Sequence, residues 1–188
     1  MTSTPIDLGR PVAGDVVELI LDDHRRFETL LRQLRDSSSD RDAVRKALAA
    51  LHVAHAEAEE RHVYPTLRDD HAIGDDEAEH GEHEHAEGNQ ALLEVLELTS
   101  LEGEEFDEAV EELSGLINHH LTEEELTILN PARAEVPEKA RAELGLRFAT
   151  ERNAQIDDDC GRVENVRALV AKAEKDGLDE DEEEDEEN

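Results

Sequence analysis

The sequence predicts an all-α protein: an up-down-up-down four-helix bundle, followed by extra C-terminal helices and an acidic tail. Three observations predict it. Ala, Leu, Glu and Arg, all good helix formers, dominate the 188 residues. Aromatic residues make up only 2% of the chain, with no Trp, so the turn-bounded β-branched and aromatic runs that make strands are absent and the core must be aliphatic. Apolar residues recur at spacings of three and four in four segments of similar length. The links between those segments are short, which makes neighbouring helices antiparallel.

Residues 1–13 carry Pro5 and Pro11 but no periodic pattern, and read as a flexible arm. A first helix is predicted over 15–35. The SSSD break at 37–40 ends in Asp40, an N-cap for a second helix over 42–67, with Pro65 near its end to kink or stop it. Gly74 and the Asp pair after it mark a turn before a third helix over 77–98. The connection TSLEGEE leads into a fourth helix over 106–129, closed by Asn130-Pro131. The bundle thus spans 14–132. An extension over 133–175 supplies helices at about 137–152 and 157–175, either packed on the outside of the bundle or paired with a second subunit. The last segment, 176–188, is DGLDEDEEEDEEN. Its like charges cannot bury enough apolar surface to order it, so a disordered tail is expected.

The formal net charge is -33. Such a surface repels nucleic acid and anionic membranes, both of which need cationic patches, and it attracts cations. The single cysteine, Cys160, excludes an intramolecular disulfide, and its acidic neighbours predict a sluggish thiol. No stretch approaches the ~20 apolar residues of a membrane span. The N-terminus MTSTPIDLGRPVAGD lacks the apolar region of a signal peptide. A cytoplasmic protein is the expectation.

The bundle seams carry the chemistry. The first reads Val17, Ile20, His24, Phe27, Leu31, Leu34. The second reads Val44, Leu48, Leu51, His55, Glu59, His62. The third, read backward from Val95 through Leu92, reaches Gly88 and His85. The fourth reads Phe106, Val110, Leu113, Leu116 or Ile117, His120, Glu124, Ile128. Each seam places a histidine among aliphatic residues, and two follow it with Glu at i+4, one turn along the same face. Burying so many polar groups without partners would cost several kcal/mol each. A metal supplies the partner. Six ligands (His24, His55, Glu59, His85, His120 and Glu124) are too many for one tetrahedral zinc. They suit two non-haem irons that share Glu59 and Glu124 as bridging carboxylates. His52 and His62 flank this set. His80, His83 and His119 fall off the seams and are expected in solvent, and His71 in a loop. A ferritin-like alternative needs a lone Glu on each of two helices, which the first and fourth seams do not offer.

The strings DDHRRFETLL at 22–31, HAEAEERHVYP at 55–65, EHAEGNQALLEVL at 84–96 and HHLTEEELTILNP at 119–131 resemble the hemerythrin-like HHE cation-binding domain, in the family's order. The resemblance implies the same six ligands for two iron ions, bridged by carboxylate and by an oxo or hydroxo group. It implies a protein that binds or reacts with O2, H2O2 or NO, through oxygen binding, iron handling, redox sensing or catalase-like peroxide removal. Two departures stand out. Gly81 occupies the place of a further His found in oxygen carriers, to be filled by His80, Glu82 or water. Pro131 comes one residue later than usual. An open metal position favours ligand chemistry over simple oxygen carriage. Tyr64 is expected to pack at its helix end. A second reading makes the metal a brace for a structural or regulatory bundle that works through its C-terminal extension and tail.

Overall fold

The helices begin where short polar side chains can serve the first turn. Asp15 accepts from the Val17 N–H at 3.0 Å and Asp40 from the Ala43 N–H at 3.1 Å, each satisfying a donor that has no partner within its helix. Asp75, Asp76 and Glu77, and then Glu104, Glu105 and Asp107, crowd two later first turns, where negative charge meets the positive end of the helix dipole. The computed structural model describes residues 6–178, and among them are six helices and no strand. Helix α1 is Val16–Arg35. Helix α2 covers 41–69 as Arg41–Ala58, a π-helical turn Glu59–Val63 and Tyr64–Asp69. Helix α3 is Asp75–Glu97. Helix α4 covers 104–135 as Glu104–Glu124, a π-helical turn Glu125–Leu129 and Asn130–Glu135. Helices α5 and α6 are Glu138–Asp157 and Val163–Asp176.

Three boundaries lie well away from the sequence expectation: the fourth helix runs to Glu135 instead of 129, the fifth to Asp157 instead of about 152, and the last begins at Val163 instead of about 157. Neither Pro65 nor Pro131 ends its helix: α4 runs on past Asn130 to Glu135, and α2 continues to Asp69. Each proline lies two residues beyond a π turn. Proline lacks the N–H for a helical bond and crowds the carbonyl four residues back. A turn widened by one residue absorbs both problems, and the helix survives.

Helices α1 to α4 pack in cyclic order, each on the next and α4 back on α1. The apolar core falls into two blocks. One holds Phe27, Leu34, Leu48, Leu92 and Val110; the other holds Ile20, Val63, Leu67, Ile128 and Leu144. On every bundle helix a buried polar layer separates the two. Helix α5 lies along α1 and α2, and α6 along α3. The approach of α5 is close. A Cβ on Gly145 would lie 2.0 Å from the Gly14 carbonyl oxygen, so any side chain there would push the helix away. The residues before α1 are held as well: Arg152 of α5 donates to the Leu8 and Gly9 carbonyls at 2.7 and 3.2 Å, and Arg10 pairs with Asp157. Among the described residues no helix is long and apolar enough to cross a membrane. Most of the expected acidic tail, residues 179–188, lies outside the described residues, as do residues 1–5.

Candidate metal centre

Each bundle helix delivers one histidine to the polar layer, and the two π-turn helices add a glutamate. His24, His55, Glu59, His85, His120 and Glu124 are all buried. His55, Glu59, His120 and Glu124 place ligand atoms within 4.8 Å of one another. His24 Nε2 joins them 3.1 Å from Glu124 Oε2, and His85 Nε2 lies 3.3 Å from Glu59 Oε2. The sequence-predicted set therefore meets in a single layer.

The outward nitrogens are equally ordered. His55 Nδ1 on α2 faces Asp23 Oδ2 of α1 at 3.4 Å. His85 Nδ1 on α3 faces Glu60 Oε1 of α2 at 2.9 Å. His120 Nδ1 on α4 faces Glu84 Oε2 of α3 at 2.9 Å. His24 Nδ1 on α1 faces Glu125 Oε1 of α4 at 2.8 Å. Each carboxylate belongs to the preceding helix, so the four contacts run once around the bundle and close. An ionised carboxylate only accepts, which puts the imidazole proton on Nδ1 and leaves the Nε2 lone pair pointing inward.

That arrangement leaves inward atoms wanting a cation. His85 Nε2 and His120 Nε2 are 3.1 Å apart, two lone pairs face to face once both Nδ1 protons are committed outward. His55 Nε2 and Glu59 Oε1 are buried without a hydrogen-bond partner, although only 3.1 Å separates them. The donor set, imidazole nitrogen with carboxylate oxygen, suits first-row divalent metals. The residues present fit such an ion.

The electrostatics agree. Burial pushes the Glu59 carboxyl well above the usual range, and the nearby Glu124 charge pushes it further. Glu124 feels the same burial but goes down, held ionised by His24 and the other imidazoles around it. Despite its burial His24 is raised by Glu124 and Glu125, so in the metal-free layer its Nε2 also carries a proton, which a metal would displace. Without a metal, the proton shared by the two buried acids thus rests on Glu59. Burial lowers His55, and burial with the neighbouring His120 lowers His85 well below the ordinary imidazole value. Glu60 is pushed up to about 7 by burial. A cation in this layer favours the deprotonated form of every one of these groups.

Several residues fall where sequence reasoning did not put them. Tyr64 is a wall of the site: its ring stacks on His85 with centroids 5.9 Å apart, and its hydroxyl donates to Glu124 Oε1 at 3.2 Å, with Glu59 Oε2 at 3.5 Å. It also fills the space beside Gly81, where a Cβ would lie 2.9 Å from the Tyr64 oxygen. His80 and Glu82 do not enter that gap. His62, placed on the second seam by its spacing, is half-exposed, with Nε2 3.8 Å from Glu151, because the π turn inserts a residue and rotates it off the core face. His52 is buried, against Phe27 and His85, and burial with the nearby His85 lowers it to about 3. Arg152 of α5 is fully buried and grips Asp23 through two nitrogens at 2.5 and 2.8 Å, while Phe148 sits edge-on to His55 at 5.9 Å. The extension thereby braces the polar layer. The outer carboxylates had one sequence signal: each adjoins an inner residue in the chain, as Asp23-His24, Glu59-Glu60, Glu84-His85 and Glu124-Glu125.

Residues 15–131 match the family model described as Hemerythrin HHE cation binding domain. No curated protein and no solved structure matches the chain.

Proposed function

We propose that this chain, which belongs to the hemerythrin HHE cation-binding domain family, is a non-haem di-iron protein whose metal ions are held by His24, His55, Glu59, His85, His120 and Glu124 and meet O2, H2O2 or NO. One observation carries the reading: four imidazoles, each with its outer nitrogen tied to a carboxylate from the preceding helix, turn their inner nitrogens toward two buried carboxylates. Six such donors exceed one tetrahedral ion and suffice for two ions sharing Glu59 and Glu124. Bound iron would supply one-electron chemistry toward a small oxidant or nitric oxide.

The chain's own residues have three tasks. The outer carboxylates fix the tautomer and the plane of each ring, which raises its donor strength. The two aliphatic blocks keep bulk water from the layer. The Tyr64 hydroxyl holds a proton 3.2 Å from Glu124 Oε1, within reach of a molecule bound beside that carboxylate. Disproportionation of peroxide is the enzymatic form of this reading, and binding or sensing of the same small molecules its non-enzymatic form.

The test is metal analysis of the purified protein, with absorption spectra before and after anaerobic addition of hydrogen peroxide. Two irons per chain, near-ultraviolet charge-transfer absorption, and a metal content that falls in Glu59→Gln and His120→Ala support the reading. Oxygen release from peroxide selects the enzymatic form; two irons without turnover select the carrier or sensor. One zinc, or no metal in protein never exposed to a chelator, sinks it.

A further inference from the structure

Consecutive residues on a helix point about 100° apart, so the pair His119-His120 cannot face one way. His120 turns into the bundle, and His119 stays outside, with its side chain 62% exposed. Between them, from the neighbouring helix α3, comes Glu84. Its carboxylate is only 5% exposed, and its two oxygens have different surroundings. Oε2 faces His120 Nδ1 at 2.9 Å. Oε1 is buried and has no hydrogen-bond partner, yet it points at two imidazoles: His119 Nε2 at 3.5 Å and His80 Nε2, one turn back on α3, at 3.6 Å. All three ligand atoms lie within 4.8 Å of one another.

These distances are too long for hydrogen bonds. They are the right length for something else. Two ligands bound tetrahedrally to an ion at about 2.0–2.1 Å stand ~3.4 Å apart. A buried carboxylate oxygen without a donor costs free energy, and a cation shared with two imidazoles relieves it.

We propose that His80, Glu84 and His119 form a second cation site at the surface between α3 and α4, taking one divalent ion of the zinc class, with solvent as its fourth ligand. The donor set, two imidazole nitrogens and one carboxylate oxygen, selects a borderline transition ion over Mg2+ or Ca2+, which prefer oxygen ligands. The site stands apart from the inner six residues. It touches them at one point, since the other oxygen of Glu84 orients His120.

Cobalt(II) is the probe, because its visible bands report four-coordinate geometry. It is titrated into iron-loaded protein, with excess Mg2+ present to occupy sites made of carboxylates alone. Parent protein takes up one Co2+ per chain with four-coordinate bands. The His80→Ala/His119→Ala variant, altered only at exposed positions, binds it about 100-fold more weakly or worse, with two of three protein ligands gone, while its iron content is unchanged. His83→Ala serves as control and behaves as parent. If the protein holds no iron, the comparison runs on the metal-free chain, and Co2+ stoichiometry falls by one between parent and double variant whatever the inner layer binds. Equal uptake by parent and double variant, or no uptake by either, overturns the proposal.

Discussion

Arg152 offers the sharpest test of how the extension supports the site. Its guanidinium is wholly buried and meets Asp23 at 2.5 and 2.8 Å. Asp23 is buried too, and its other contacts are His55 Nδ1 at 3.4 Å and, from the half-exposed Arg26, Nη1 at 3.3 Å. Burial alone would raise the Asp23 carboxyl, but hydrogen bonds from His55 and Arg152 hold it below its usual range. Arg152→Met keeps the apolar packing but removes the charge and the donors to the Leu8 and Gly9 carbonyls, leaving the buried Asp23 carboxylate with Arg26, at a longer 3.3 Å, as its one remaining cationic partner. Breaking a buried pair in this way costs about 3–5 kcal/mol, and for a chain of this size each kcal/mol moves the melting temperature by roughly 2–4 °C. The variant should melt roughly 6–20 °C lower. Metal-free protein followed by far-ultraviolet circular dichroism isolates this from any change in metal affinity. Adding Asp23→Asn, which keeps an acceptor for His55 and removes the buried charge, should recover more than half of the loss, a coupling of about 2 kcal/mol or more. An Arg152→Met protein that melts within about 2 °C of parent would refute the reasoning, and so would a double variant no better than the single one.

Three other outcomes are expected. Gly81→Ala drives a methyl group to 2.9 Å from the Tyr64 oxygen; despite about 1 kcal/mol of helix propensity gained, overpacking should destabilise the protein by about 1–3 kcal/mol. Because Tyr64 is the only tyrosine and there is no Trp, near-ultraviolet circular dichroism reads its displacement directly. His52, lowered by burial to about 3, makes the fold acid-sensitive: its folded value lies below its unfolded one, so the stability it contributes is complete above about pH 6.5 and is lost as pH falls toward 3. Between pH 6.5 and 5 that loss is about 2 kcal/mol, and urea melts of metal-free His52→Leu should lack this share of it. The Cys160 thiol, pushed up to about 11 by burial, should alkylate at pH 8 about 100-fold more slowly in folded than in urea-unfolded protein on thiolate fraction alone, measured by mass spectrometry over time.

The inner layer was legible because histidines at seam positions break an aliphatic pattern of threes and fours, and that pattern needs only the helix period. The two π turns broke the same logic locally. Past Glu59 the register slips by one residue, which took His62 off the predicted seam and turned Tyr64 from a helix-end residue into a wall of the site. Pro65 and Pro131 signalled an interruption, but a proline after a widened turn reads in sequence like one that ends a helix. Arg152 left no local trace, since its partner Asp23 is 129 residues away and nothing in ERNAQ distinguishes a buried arginine from a solvated one. His80 and His119 were read as solvent-facing, and they are exposed; their convergence on Glu84 depends on how α3 meets α4, which periodicity within each helix does not encode.

The closed circuit of carboxylate-to-imidazole contacts also bears on how the chain finds its alignment. Seams rich in Ala, Leu and Val interlock almost as well after one helix slides a full turn past its neighbour, and such cores tend toward several near-equal packings. In this bundle a slide of about 5.4 Å by any one helix would break two links of the circuit together, leaving two buried imidazoles, its own and its neighbour's, without their outer partners. The polar layer therefore acts as a vernier. It rejects every sliding error by a penalty that each helix shares with both neighbours, and it does so before any metal arrives.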